Sequence, residues 1–169
     1  MRKFSLEITL NKSVDSIFDM LKQQSFYEKI GEGMENSTYV VKSSRYYENN
    51  KTFFINAQVR STMNLDNILN KLIDQNIIFE RSDKWTEIST DSIEGSIEYD
   101  FNKPLSINAI QKIKKISESQ AMFERVYTIS YAFPILKNKI ESFVEASFKS
   151  ACVEELNLFA NIVNNFEIN

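Results

Sequence analysis

The sequence has no histidine, one cysteine, three glycines and two prolines in 169 residues. Without histidine there is no Ser-His-Asp triad, no Cys-His dyad and no His-rich metal site. A lone Cys152 makes neither an intrachain disulfide nor a zinc ribbon, and three glycines make no glycine-rich phosphate loop. This inventory leads us to expect no cofactor and no metal. No stretch approaches the roughly 18 consecutive apolar residues of a membrane span. Glu7 interrupts the start of the chain where a signal peptide needs an apolar run. A cytoplasmic protein without integral membrane association is therefore expected, with peripheral contact left open. The formal net charge of -3 supplies no field to recruit nucleic acid. What is present is apolar and aromatic: 43% hydrophobic residues and 13 phenylalanines, enough for one sizeable core that is bulky or lines something. With no repeat and no linker-like run, residues 1–169 read as a single domain.

Hydrophobic periodicity orders the elements. Phe4, Leu6, Ile8 and Leu10 alternate along an opening strand. Ser13 is a good N-cap for a short helix carrying Val14, Ile17, Phe18 and Leu21. Ser25 and Glu28 have capping-box spacing for a second short helix, which Gly31 and Gly33 would end by adopting positive φ. From Thr38 to Phe133 the pattern is mostly strand, about six of them. Their inward faces read Phe53, Ile55, Ala57 and Val59; then Ile77, Phe79 and Trp85; then Ile93, Gly95, Ile97, Tyr99 and Phe101. Leu105, Ile107 and Ala109 follow, and finally Phe123, Tyr127, Ile129, Tyr131 and Phe133. Leu65 to Asp74 has helical spacing and reads as an insertion serving as a lid or as plain packing; its acidic polar face argues against a membrane foothold. The lysines of Gln111 to Lys115 read as solvent-facing protection of a sheet edge. Pro134 sits at a helix N1 position, and the pattern runs on to about Phe166, a helix of roughly 50 Å. Its core stripe is expected to be Leu136, Ile140, Phe143, Val144, Ala151, Leu158 and Ile162, with Ser147 in the middle.

Strand, two short helices, an antiparallel run of strands and one long C-terminal helix is the helix-grip order. With the stretches Ser13-Val14-Asp15-Ser16-Ile17-Phe18-Asp19-Met20-Leu21 and Ile129-Ser130-Tyr131-Ala132-Phe133-Pro134-Ile135-Leu136, it resembles the START-like (SRPBCC) superfamily. Within it, Lys84-Trp85-Thr86 and the Phe133-Pro134 junction look most similar to a START-like family of unknown function. The resemblance covers nearly the whole chain and implies an α+β fold: a curved antiparallel sheet of about seven strands gripping the last helix around an apolar cavity. Members of the superfamily include lipid-transfer, pollen-allergen-like and polyketide-cyclase-like proteins. The acidic-plus-His pair and the iron ligands of its enzymatic branches have no counterpart here.

Several inward residues are candidates for a site. Arg81 and Arg125 fall on the apolar parity of their strands, and a guanidinium facing a core needs a partner. That partner is either Glu154 or Glu155 of the last helix, or the carboxylate or phosphate of an amphipathic ligand. Ser147 and Ala151 are small where the helix should meet the sheet, which leaves room for a pocket unless Phe79 or Tyr99 fills it. Tyr99, Tyr127 and Tyr131 would add apolar walls with hydroxyls, and Cys152 reads as an inert half-buried thiol. The leading expectation is a protein that binds or transports a small hydrophobic or amphipathic ligand through Arg81, Tyr99, Arg125, Tyr127, Ser147, Ala151 and Glu155. The alternatives are a cyclase-like or dehydratase-like enzyme using pocket carboxylates and Tyr, and a protein-interaction module of the co-chaperone type.

Overall fold

Period-two alternation with one wet face carries through seven strands, and the chain winds them into one antiparallel sheet. The computed structural model describes residues 1–62, 76–101, 104–135 and 137–166. The elements are β1 (Arg2–Leu10), α1 (Val14–Leu21), α2 (Gln24–Gly33), β2 (Ser37–Tyr47), β3 (Thr52–Thr62), β4 (Asn76–Ser89), β5 (Ser92–Asp100), β6 (Leu105–Ser117), β7 (Gln120–Tyr131) and α3 (Lys137–Asn165). The strand order is β1-β7-β6-β5-β4-β3-β2, so the first and last strands of the chain pair and leave β1 and β2 as the edges. Register shifts at Val41/Ser43, Glu87/Ser89 and Lys115/Ser117 interrupt the ladders. The architecture is an α+β helix-grip: a curved sheet with α3 against one face. The insertion expected at Leu65 to Asp74 lies outside the described residues.

The helix boundaries follow local chemistry, with three departures from expectation. Ser13 does cap α1, its Oγ accepting from the Ser16 N–H at 3.3 Å. At α2 the cap is Gln23, with no side-chain bond, so Ser25 lies inside the first turn and makes no capping box. Gly31 and Gly33 do not turn the chain either, since no glycine has positive φ. Gly31 instead allows close packing: a Cβ there would stand 2.8 Å from that of Tyr39. Pro134 and Ile135 form a turn, the Lys137 N–H reaching the Pro134 carbonyl at 3.4 Å, and α3 begins at Lys137. With 29 residues it is about 43 Å long. Leu136 lies outside the described residues, and Phe133, past the end of β7, is exposed.

The core falls into two apolar clusters on the α3 side of the sheet. One packs α1 and α2 against Trp85, Phe123 and Phe159. The other gathers Phe79, Ile97, Tyr99, Ile129 and Val144 toward the start of α3. The buried line on the second half of α3 is Leu156, Phe159, Ala160 and Val163, while Leu158 and Ile162 are half-buried. The line is turned from the expected stripe because Glu155, which breaks the apolar pattern, is itself part of the buried face. The lysines of β6 protect no edge, because β6 lies between β5 and β7. Lys112 pairs with Glu94, and Lys115 with Glu118 at 2.6 Å and Asp91 at 3.4 Å. Among the described residues no helix is long and apolar enough to cross a membrane.

Candidate functional site

Between the two apolar clusters lies a buried polar layer built from inward positions of β4, β6 and β7 and from α3. Arg81 and Asp83 are two apart on β4 and therefore share a face; Arg81 Nε and Nη2 donate to the Asp83 carboxylate at 2.7 and 3.0 Å. On its other side Arg81 donates through Nη1 and Nη2 to both oxygens of Glu155, at 2.8 and 2.9 Å. Arg125 Nη1 donates to Glu155 Oε1 at 2.9 Å and to the Tyr127 hydroxyl at 3.0 Å, and its Nε to Gln111 Oε1 at 3.1 Å. All six side chains are buried. Two guanidiniums face two carboxylates, so the layer is balanced in charge, as buried ions require. Gly95 makes room here: a Cβ on it would meet the Trp85 ring at 3.0 Å.

The electrostatics follow from burial and pairing. Burial pushes the Glu155 carboxyl up, but the guanidiniums of Arg81 and Arg125 outweigh it and hold it at about 2. It is ionised at neutral pH and only accepts hydrogen bonds. Burial opposes the charge on Arg81, and Asp83 and Glu155 more than compensate. Burial raises the hydroxyls of Tyr39 and Tyr99 against the opposing pull of Arg81, so both remain protonated. Cys152, buried and near Glu155, is pushed up to about 12.

Beside this layer a cavity of about 360 Å³ opens between the sheet and α3. Val59, Ile77, Phe79, Tyr99, Phe101 and Ile107 form its sheet wall; Val144, Ser147, Phe148, Ala151, Cys152 and Glu155 form its helix wall. Asn36 and Ser37 at the start of β2 and Ser61 and Thr62 at the end of β3 add a polar margin. Phe79 and Tyr99 line the space and do not fill it. Phe79 packs on Phe101 at 4.8 Å, and Tyr99 meets the edge of Phe148 at 5.2 Å.

Five of the seven residues singled out from the sequence meet at this cavity: Arg81, Tyr99, Ser147, Ala151 and Glu155. Arg125 and Tyr127 are not in its walls. Both are sealed in the polar layer, and Arg125 is bonded to Glu155, the glutamate of α3 that also binds Arg81. Of the two candidate partners in α3, Glu155 binds both arginines, while Glu154 lines the cavity and accepts from the Glu35 N–H at 3.3 Å. Two residues were missed. Asp83 shares the inward parity of Arg81 and Trp85, a signal the sequence does carry. Tyr39 alternates with Val41 on the inner face of β2, and Arg81 lies within cation–π range of both its ring and that of Tyr99, at 5.7 and 5.5 Å. The hydroxyls of Tyr39 and Tyr99 are buried and have no hydrogen-bond partner among the described residues. Among the described residues no group of three acidic or Cys side chains could hold a metal ion.

The fold is shared with solved structures at very low identity. The protein TTHA0849 from Thermus thermophilus superposes with a TM-score of 0.64 at 8% identity, covering 96% of this chain and 97% of that one. The ZhuI aromatase/cyclase from Streptomyces sp. R1128 gives 0.58 at 9% identity over 96% and 93%. Norcoclaurine synthase from Thalictrum flavum, in complex with dopamine and hydroxybenzaldehyde, gives 0.54 at 6% over 99% and 89%. At these identities the likeness is one of fold. No curated protein sequence matches the chain. A family model described as "Protein of unknown function (DUF2505)" matches residues 5–162, from β1 into the last turn of α3. The chain therefore belongs to the DUF2505 family.

Proposed function

We propose that this protein is a START-like, single-domain cytoplasmic binding protein that holds a small, largely apolar molecule between its sheet and α3. The observation that carries the reading is the cavity of about 360 Å³, walled by aromatic and aliphatic side chains with a few polar groups. That volume is in the range of small-molecule sites, and interiors without a ligand role normally pack densely. The small side chains of Ser147 and Ala151 keep the helix wall from filling it. Two structures of the same fold, an aromatase/cyclase and a synthase bound to dopamine and hydroxybenzaldehyde, support a small-molecule role. Glu155, ionised and committed to two arginines, is a poor proton donor, which favours binding over general-acid chemistry.

Native mass spectrometry of the purified protein, organic extraction and titration with Nile red test this reading. A stoichiometric adduct or saturable dye binding, lost in Ser147→Phe while the fold is retained, is the expected result. An adduct-free protein that binds no dye, or a Ser147→Phe variant that binds like the original, would overturn it.

A further inference from the structure

Resting on the binding reading, we infer that the cavity selects neutral molecules that present a hydrogen-bond-accepting oxygen, such as a ketone, at the end flanked by Tyr39 and Tyr99. The charged amphiphile that two core arginines first suggest is disfavoured. Arg81 commits four of its five N–H groups to Asp83 and Glu155. Arg125 is turned to Gln111, Tyr127 and Glu155. A carboxylate or phosphate entering the cavity would compete with buried carboxylates already forked onto Arg81, and its walls add Glu154 and Glu155 against that one arginine. Burying an anion there without a new partner is costly.

The hydrogen-bond inventory runs the other way. Buried polar groups in native proteins are nearly always paired, so an orphan asks for a partner. The Tyr39 and Tyr99 hydroxyls flank Arg81 at the cavity wall, buried and without a partner among the described residues. One donor-only group of the polar layer, Gln111 Nε2, is also orphaned. At the cavity wall the orphaned groups are the two tyrosine hydroxyls, each with a hydrogen to donate. Both tyrosines are held protonated by burial and retain a hydrogen to give. The missing partner is an acceptor oxygen without net charge, supplied by a ligand or, in its absence, by water.

Displacement of Nile red by a near-isosteric set tests the inference: 2-acetylnaphthalene, 2-isopropylnaphthalene, 2-naphthoate and 2-naphthylmethylammonium. At about pH 7.5 these are a neutral ketone, an oxygen-free analogue, an anion and a cation. The ketone should bind at least about tenfold more tightly than either ion. Tyr99→Phe and Tyr39→Phe should each weaken the ketone about three- to tenfold and leave the isopropyl analogue unchanged, which also shows that the variants fold. Tightest binding by either ion, or a ketone-to-isopropyl ratio unchanged in both variants, would overturn the inference and leave the cavity reading intact. If neither the dye nor any member of the set binds, the cavity reading itself fails and this inference falls with it.

Discussion

Arg81 meets Glu155 fork to fork, Nη1 to Oε2 at 2.8 Å and Nη2 to Oε1 at 2.9 Å, across 74 residues of sequence and inside the core. The contact ties the middle of β4 to the middle of α3. Desolvating both ions offsets most of their attraction, so the pair adds little net stability. What it does is select one rotation of α3 on the sheet, because only one helical setting brings Glu155 under both arginines.

Removing one member should therefore be far worse than never having had the pair. Glu155→Gln leaves Arg81 and Arg125 short of a buried negative charge, and should lower unfolding free energy by about 3–5 kcal/mol in urea denaturation. Converting Arg81 to Met in the same background should restore part of the loss. A single-variant loss below about 1 kcal/mol would show that the cluster is solvated in solution.

The same carboxylate sets an acid limit. Its pKa is lowered from 4.5 to about 2 on folding, so its contribution is fully present above 4.5 and is lost as pH falls toward 2. Stability measured against pH should decline through that window, and the decline should flatten in Glu155→Gln. An identical acid limb in the variant would assign the transition to other carboxylates.

Gly95 offers a test of packing in the polar layer. Its missing Cβ is the space in which the Lys84 carbonyl and the Trp85 ring lie. Gly95→Ala should cost about 1–3 kcal/mol and shift the emission of the single tryptophan, Trp85, which reports on this spot alone. A variant as stable as the parent, with unchanged emission, would show that the sheet gives way there easily.

Cys152 should be chemically silent. Its thiol is buried and pushed up to about 12, so thiolate is scarce at pH 8 and out of reach. Iodoacetamide should label the native protein at the rate of global unfolding and label it at once in denaturant. Rapid labelling of the folded protein would show that the cavity wall opens often.

Much of the fold was legible in the sequence because alternation is local: Phe53 to Val59 and Ile93 to Phe101 announce their inner faces without reference to any partner. Sheet order was not, since the pairing of β1 with β7 is decided by residues far apart in the chain, and it moved the β6 lysines from a supposed edge to the middle. At the site, Arg81 and Arg125 advertised a buried charge through their parity. Their choice of Glu155 over Glu154 depends on the rotation of α3, about 100° per residue, which composition does not set. Tyr39 escaped notice because the neighbouring Val40 and Val41 blur the alternation, and because an orphaned hydroxyl becomes visible only once its surroundings are known.

The polar layer also partitions the interior. Trp85, Phe123 and Phe159 stand on one side of it, and Phe79, Tyr99 and Val144 on the other. Substitutions distant across this boundary should combine additively, so a Phe159 variant and a Val144 variant should lose the sum of their separate free energies. The chain can then alter the walls around its cavity, and with them its choice of guest, while the opposite compartment keeps the molecule folded.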